Sequence, residues 1–500
     1  MTDPRLVLHL GTGTFVMAEP KQSAMSPTGW EAYRPAPEAP WNLARVVHLH
    51  RRAGFAATWA EIERDLRDGP EASVTRVLKG KAHLDGVMQD FAGVSAALAE
   101  SAASTSMADR LKAWWVFRML FSPDPLGERL TLMWHNHFAT SNLKVDDLGA
   151  MRRQNEIFRE FARAPFGDLL RRVLKDSAML DWLDASANRK EHPNENLSRE
   201  SMELFTLGVG NYSETDVKEA ARALTGWSFK PDGFHEFPQY HDDGEKTILG
   251  RKGRWRGDDF VAMLLEHPAT SIRLATRLCE LFMAESPVGQ AASLPANRTP
   301  SQTSTNPGNA SRIQSLAAGL RERRLDIGCG VERILRSQAF FADSNIRARV
   351  LGPPEFVIGA TRALELFDPP PSTLLLAEWI ARLGQDLFYP PNVFGWPGGR
   401  TWLSSRTLVG RINFASALVD GTVRYPAAPS NILRLVARFV GRPEAESGIR
   451  FLSQLLLGTD PSPALQKDLH SSAGSSVNLG VDGARRVAAR LLASPDAQFG

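Results

Sequence analysis

Cysteine is nearly absent. Cys279 and Cys329 are the only two in 500 residues, too few for a disulfide framework or a four-cysteine zinc site. A surplus of one charge is missing as well. Lysine and arginine total 59 and aspartate and glutamate 56, a net of +3. Such a balance gives no electrostatic footprint for nucleic acid or an anionic membrane, so no nucleic-acid partner is expected. No apolar run approaches the ~20 residues of a transmembrane span. The Walker loop, the G-x-S-x-G elbow and a metal-spaced C-x-x-C are all lacking. Gly11-Thr12-Gly13 has neither the third glycine nor the βαβ setting of a dinucleotide loop. Repeats of solenoid period are absent too. From Leu6 to Ala18 the chain is only moderately apolar, broken by His9, Gly11 and Gly13 and preceded by Arg5 alone. That falls short of a secretory signal and points to a cytoplasmic location.

What remains is an ordinary globular composition, 43% hydrophobic and 23% charged, enough to build a large core. Residues 1–40 read as an N-terminal arm, since five prolines fall between 19 and 40. Helical signals then recur almost without interruption. Thr58 with Glu61 spells a capping box, and Gly69 marks a stop. A strongly apolar helix is expected from Met107 to Ser122, and Pro125 opens the next one, toward Phe138. Pro193 is expected to open another, which Gly208 stops; Ser213 with Asp216 caps its successor. Two regions depart from this pattern. Residues 227–256 contain Asp232-Gly233 and Asp243-Gly244 between short β-prone runs, which predicts a small hairpin. Residues 286–311 hold no acidic and no aromatic residue, which predicts a disordered insertion. The expected fold is therefore all-α: a large multi-helix domain with one small β-hairpin. The insertion would separate a helical core of 41–285 from its second part, 312–500.

Four clusters carry chemistry-capable side chains. Trp134-His135-Asn136-His137-Phe138 superficially spells the HNH nuclease signature, but the run before it is helical rather than strand-like. On a helix, residues two apart diverge by about 200°, so His135 and His137 share one metal only if the helix ends there. Otherwise one histidine is buried and hydrogen-bonded and the other exposed. In the second cluster, helical spacing sets Asn196, Arg199, Glu200 and Glu203 on one stripe, opposite Leu197, Leu204 and Phe205. The stripe is either a solvated face or a carboxylate pair oriented by Arg199. The third, from His235 to Thr247, places His241 and Asp242 in a loop, where they can act as metal ligands or as ordinary turn residues. The fourth, from Phe388 to Trp402, combines prolines and glycines with Tyr389, Trp396 and Trp402. It is a stacking platform for a flat ligand or a rigid plug of buried rings.

In this order the clusters resemble the bacterial family named domain of unknown function 1800. The matching stretches are W-H-N-H-F-A-T-S at 134–141, N-E-N-L-S-R-E-S-M-E-L-F-T-L-G-V-G-N-Y at 194–212 and D-V-K-E-A-A-R-A-L-T-G-W at 216–227. They continue with H-D-D-G-E-K-T at 241–247, P-P-E-F at 353–356 and Y-P-P-N-V-F-G-W-P-G-G-R-T-W at 389–402. The resemblance spans roughly residues 42–497. It implies a large, mainly helical protein, export for many members, and a neighbouring sulfatase-like family as a protein partner. It carries over no settled catalytic residue.

Two functions follow as expectations. One is a hydrolase with a His/carboxylate site: Glu200, Glu203 and Arg199 as the catalytic set, and His135, His137, His241 and Asp242 as ligands for a divalent metal cofactor. The other is a non-catalytic binding or scaffold protein that uses Tyr389, Trp396 and Trp402 to hold a polysaccharide or a protein partner.

Overall fold

A computed structural model describes residues 28–80, 90–284 and 307–500. The predominance of helix is plain in it, and the strands form only two two-stranded sheets. No helix among the described residues is long and apolar enough to cross a membrane.

Local signals account for many of the element boundaries. Thr58 and Glu61 form the expected capping box of the Trp59–Leu78 helix. Gly69, at φ 81 and ψ 173, breaks that helix midway, and Pro70 restarts it. The Ala108–Phe121 helix buries Leu111, Trp114, Trp115, Val116, Phe117, Met119 and Leu120. From Ala113 to Phe121 only Arg118 interrupts its apolar run, so it lies within a core. Asp124 caps the Pro125–His137 helix by accepting the Gly127 amide at 2.9 Å.

The core has two main hydrophobic clusters, and they cut across the order of the chain. One joins the Ala108–Phe121 helix to residues 351–497. The other gathers Trp30, much of 126–283 and residues 316–341. The Pro125–His137 helix is their shared wall, giving Leu132 to the first and Leu126, Leu130 and Trp134 to the second. Buried ion clusters flank this wall. Glu128 accepts from Arg118 Nε at 2.9 Å and from Arg159 Nε at 2.8 Å. Arg129, its neighbour in sequence, pairs with Glu355, as does Arg349.

Four expectations need correction. The single hairpin is two: Trp227–Lys230 pairs with Gly233–Glu236, and Lys246–Ile248 with Arg251–Gly253. The second turns at Leu249-Gly250, both with positive φ, rather than at Asp243-Gly244. Pro193 does not open a helix; the helix starts at Asn196, after Asn194 Oδ1 accepts the Asn196 amide. The end of the expected insertion is also misplaced, because 307–311 belong to the Pro307–Glu322 helix. That helix packs on Pro268–Phe282, so 286–306, which lie outside the described residues, connect two helices in contact. The described end of the arm packs on the residues around Arg336 and Phe341. Tyr33 donates its amide to Arg336 O at 2.8 Å, and its ring lies 4.7 Å from that of Phe341.

Candidate functional site

The helix of Pro125–His137 ends at the W-H-N-H-F run, and each residue of the run serves a different neighbour. Trp134 donates its indole N–H to Ala162 O at 3.1 Å. His135 is fully buried inside a ring of aromatics: Trp115, Phe158, Phe388 and Trp396 lie 5.3–5.8 Å from it, centroid to centroid. Neither of its ring nitrogens has a hydrogen-bond partner among the described residues. Burial pushes its pKa down to about 3, so the ring is neutral. Asn136 Oδ1 accepts the backbone N–H of Trp396 at 2.7 Å. His137 is bonded at both nitrogens: Nε2 to Phe205 O at 3.0 Å and Nδ1 to Arg277 Nε at 3.3 Å. Because Arg277 can only donate, the His137 proton sits on Nε2 and points at Phe205. Burial and the Arg277 and Arg273 charges hold its pKa well below the usual histidine range.

This replaces the expectation of one buried and one exposed histidine, since both are buried. It also separates them. His135 faces the junction with the 388–396 loop, and His137 faces the 201–206 segment.

The second cluster contains a backbone irregularity that helical spacing does not reveal. The helix runs from Asn196 to Glu200 and then widens into a π-helical turn over Ser201–Thr206. The Leu207 amide reaches back to Met202 O at 2.8 Å, and Thr206 Oγ1 to Ser201 O at 2.6 Å. Side chains take up the carbonyls near the end of this turn: His137 binds Phe205 O, and Arg273 Nε donates to Leu204 O at 3.2 Å. Such π turns recur at functional sites.

Glu200 and Glu203 flank the α-to-π transition, and both are half-buried. Glu203 accepts the Tyr212 hydroxyl at 2.8 Å. Glu200 has no hydrogen-bond partner among the described residues. Burial first, then repulsion from Glu203, pushes its carboxyl up to about 7, against a smaller opposing pull from Arg199. Arg199 does not orient the pair as expected. It donates to Glu195 Oε2 and Glu214 Oε2, each at 2.8 Å.

The third cluster is a structural clasp. His241 Nδ1 lies 3.0 Å from Thr225 O. Asp242 receives Arg222 Nε at 2.7 Å, and that guanidinium holds its carboxyl below the usual range. Glu219 Oε2 accepts the Thr247 amide at 3.0 Å. The D-D-G-E-K-T stretch thus fastens the second hairpin to the Glu214–Ala223 helix. Among the described residues, no group of three or more His, Cys, Asp or Glu is placed to hold a metal ion. The proposed ligand set of His135, His137, His241 and Asp242 is therefore corrected to an aromatic cage, a bridge and a clasp.

The fourth cluster is the plug rather than the platform. Trp396 and Trp402 are exposed by only 4% and 6%, so neither offers a ring face to a ligand. Tyr389 is half-buried, with the Lys112 ammonium 4.4 Å from its ring centroid and its hydroxyl accepting Asn142 Nδ2 at 3.0 Å. Gly395, at φ +80, is required by close approach: a Cβ there would lie 2.2 Å from Asn136 Oδ1 and 2.6 Å from Asn136 O.

With these stretches in place, the family can be read from the whole chain. A family model described as protein of unknown function (DUF1800) matches residues 48–499. The chain belongs to the DUF1800 family. No curated protein and no solved structure matches it.

Three residues around the DUF1800 carboxylate pair escaped sequence reasoning: Tyr212, Arg273 and Arg277. Tyr212 closes one of the family stretches, nine positions after Glu203, with a loop between them. Arg273 and Arg277 lie one turn apart on the Pro268–Phe282 helix, a spacing that by itself suggests only a solvated face.

Proposed function

We propose that this protein is a hydrolase whose general acid is Glu200, with Glu203 as the partner carboxylate. One observation carries the reading: a half-buried carboxyl without a hydrogen-bond partner stands three residues from a second carboxylate that Tyr212 holds at 2.8 Å. The two environments differ in the sense that acid–base catalysis uses. Glu200, at about 7, keeps a transferable proton near neutrality. Glu203 is instead held by the Tyr212 hydroxyl at 2.8 Å. Two carboxyls in unlike surroundings can divide the donor and acceptor roles in hydrolysis. The π turn supports the reading, since it fixes both carboxylates on one short, cross-braced segment.

The test is a panel of nitrophenyl glycosides, esters and phosphates assayed with wild type, Glu200→Gln and Glu203→Gln. The glutamine keeps the shape and removes the proton. Glu200→Gln is expected to lower turnover by about 100-fold or more, and wild-type activity should decline above about pH 7, as Glu200 ionises. Full activity in Glu200→Gln would overturn the assignment. So would a panel without turnover combined with a Glu200 carboxyl that titrates at its ordinary value by carbon-13 NMR.

A further inference from the structure

The Pro268–Phe282 helix presents Arg273 and Arg277 to the same π turn, and both are tethered through Nε. Arg273 Nε is held by Leu204 O at 3.2 Å and Arg277 Nε by His137 Nδ1 at 3.3 Å. Beyond the tether the two differ. Arg277 continues to a carboxylate, with Nη1 3.1 Å from Glu280 Oε2. Arg273 forms no ion pair and no hydrogen bond through either Nη among the described residues. Glu280 and Glu203 lie within its electrostatic range, but Glu280 is engaged by Arg277 and Glu203 Oε2 by Tyr212. Arg273 is thus a half-buried guanidinium, fixed in orientation at one nitrogen, whose outer fork is unused.

A charge in that position calls for a counter-ion. Burial, with the Arg277 charge beside it, pushes the Arg273 pKa down to about 10, so the site disfavours an isolated cation. Partly desolvated arginines are ordinarily paired. The planar fork of two Nη groups matches the oxygens of carboxylate, sulfate and phosphate. Locking Nε to a backbone carbonyl removes much of the rotamer freedom that binding would otherwise remove. Of the neighbouring carboxyls, Glu200 adds little repulsion to an anion, because it is largely protonated below about pH 7.

We propose that the free Nη fork of Arg273 is an anchoring site for an oxyanion group on the substrate of the Glu200/Glu203 centre, so that the substrate bears a carboxylate, sulfate or phosphate ester. The location rests on the acid–base reading above; the binding does not. Arg273 is here a binding residue, and it takes no proton in the reaction.

The experiment is isothermal titration of the full chain at pH 6.5 and constant ionic strength, with sodium acetate, sulfate and phosphate as separate probes. Wild type should bind at least one of them saturably, and the preferred probe names the oxyanion. Arg273→Gln should weaken that binding by about 10-fold or more. Arg273→Lys keeps the charge but loses the fork and the tether, so it should bind with intermediate affinity. Its thermal midpoint, compared with that of Arg273→Gln, separates lost binding from lost folding. Absence of saturable binding by all three probes, or equal binding by wild type and a folded Arg273→Gln, would overturn the proposal. Those outcomes leave Glu200→Gln turnover to decide the acid–base reading separately.

Discussion

The His135 cage allows a prediction in which pH isolates one side chain. The imidazole is wholly buried, neither nitrogen is bonded among the described residues, and its pKa falls from the ordinary 6.5 to about 3. The sign follows from the two states. The unfolded chain takes up a proton as pH falls through 6.5, while the folded chain does not until about 3. Stability is therefore lost progressively as pH drops across that window, by about 1.4 kcal/mol per pH unit. At pH 4 the loss from this one ring is ~3 kcal/mol. His135→Phe removes it. At pH 7 the variant sheds an unpaired polar group, a gain of about 1–3 kcal/mol. Fitting the larger ring costs a similar amount. The net change at pH 7 is expected to be within about 1 kcal/mol. At pH 4 the variant should exceed wild type by ~3 kcal/mol relative to that baseline. Urea unfolding followed by tryptophan fluorescence at both pH values measures the double difference. His48 and His137 are also held below the histidine range, but they contribute equally to both proteins and cancel. Equal loss of stability by wild type and variant between pH 7 and pH 4 would refute the reasoning.

Two further perturbations test the packing around the site. Gly395→Ala forces a Cβ into Asn136 Oδ1 at a positive φ and breaks the bond to the Trp396 amide. It should cost about 3 kcal/mol or more, read as a lowered urea midpoint. Glu355→Gln leaves the buried Arg129 without its carboxylate and should destabilise by about 3–5 kcal/mol. Arg129 and Arg349 hold Glu355 down at about 2, from 4.5. Its contribution is therefore full above 4.5 and is lost as pH falls toward 2, so the gap between wild type and variant should narrow under acid unfolding.

Local chemistry made part of this protein legible in its sequence. Capping boxes at Thr58 and Ser213, Pro125 at a helix start and Gly208 at a helix stop act within a few residues of themselves. Their outcome needs no knowledge of distant chain. The same holds for the all-helical apolar pattern of the Ala108–Phe121 helix. Pro193 does not open the helix because Asn188 and Asn194 take up the Asn194 and Asn196 amides and delay the helix to Asn196. The second hairpin was misplaced because its register is set by Asp216 and Glu219 on a neighbouring helix, through the Leu249 and Thr247 amides.

The roles of the chemistry-capable residues were a different matter. His135 and His137 are identical in type and two positions apart. One faces an aromatic junction and the other a carbonyl freed at a π turn, because the helix that carries them is the wall between two cores. Asp242 was spelled like a ligand and became an ion-pair partner of Arg222. Arg273 has the spacing of a surface residue but is a cation that forms no ion pair among the described residues, bonded through Nε to Leu204 O. Residue type fixes which proton or charge a side chain can offer. Burial, and the groups that folding brings from elsewhere in the chain, decide whether that capacity is neutralised, bonded away or left available, and only the tertiary structure sets those distances.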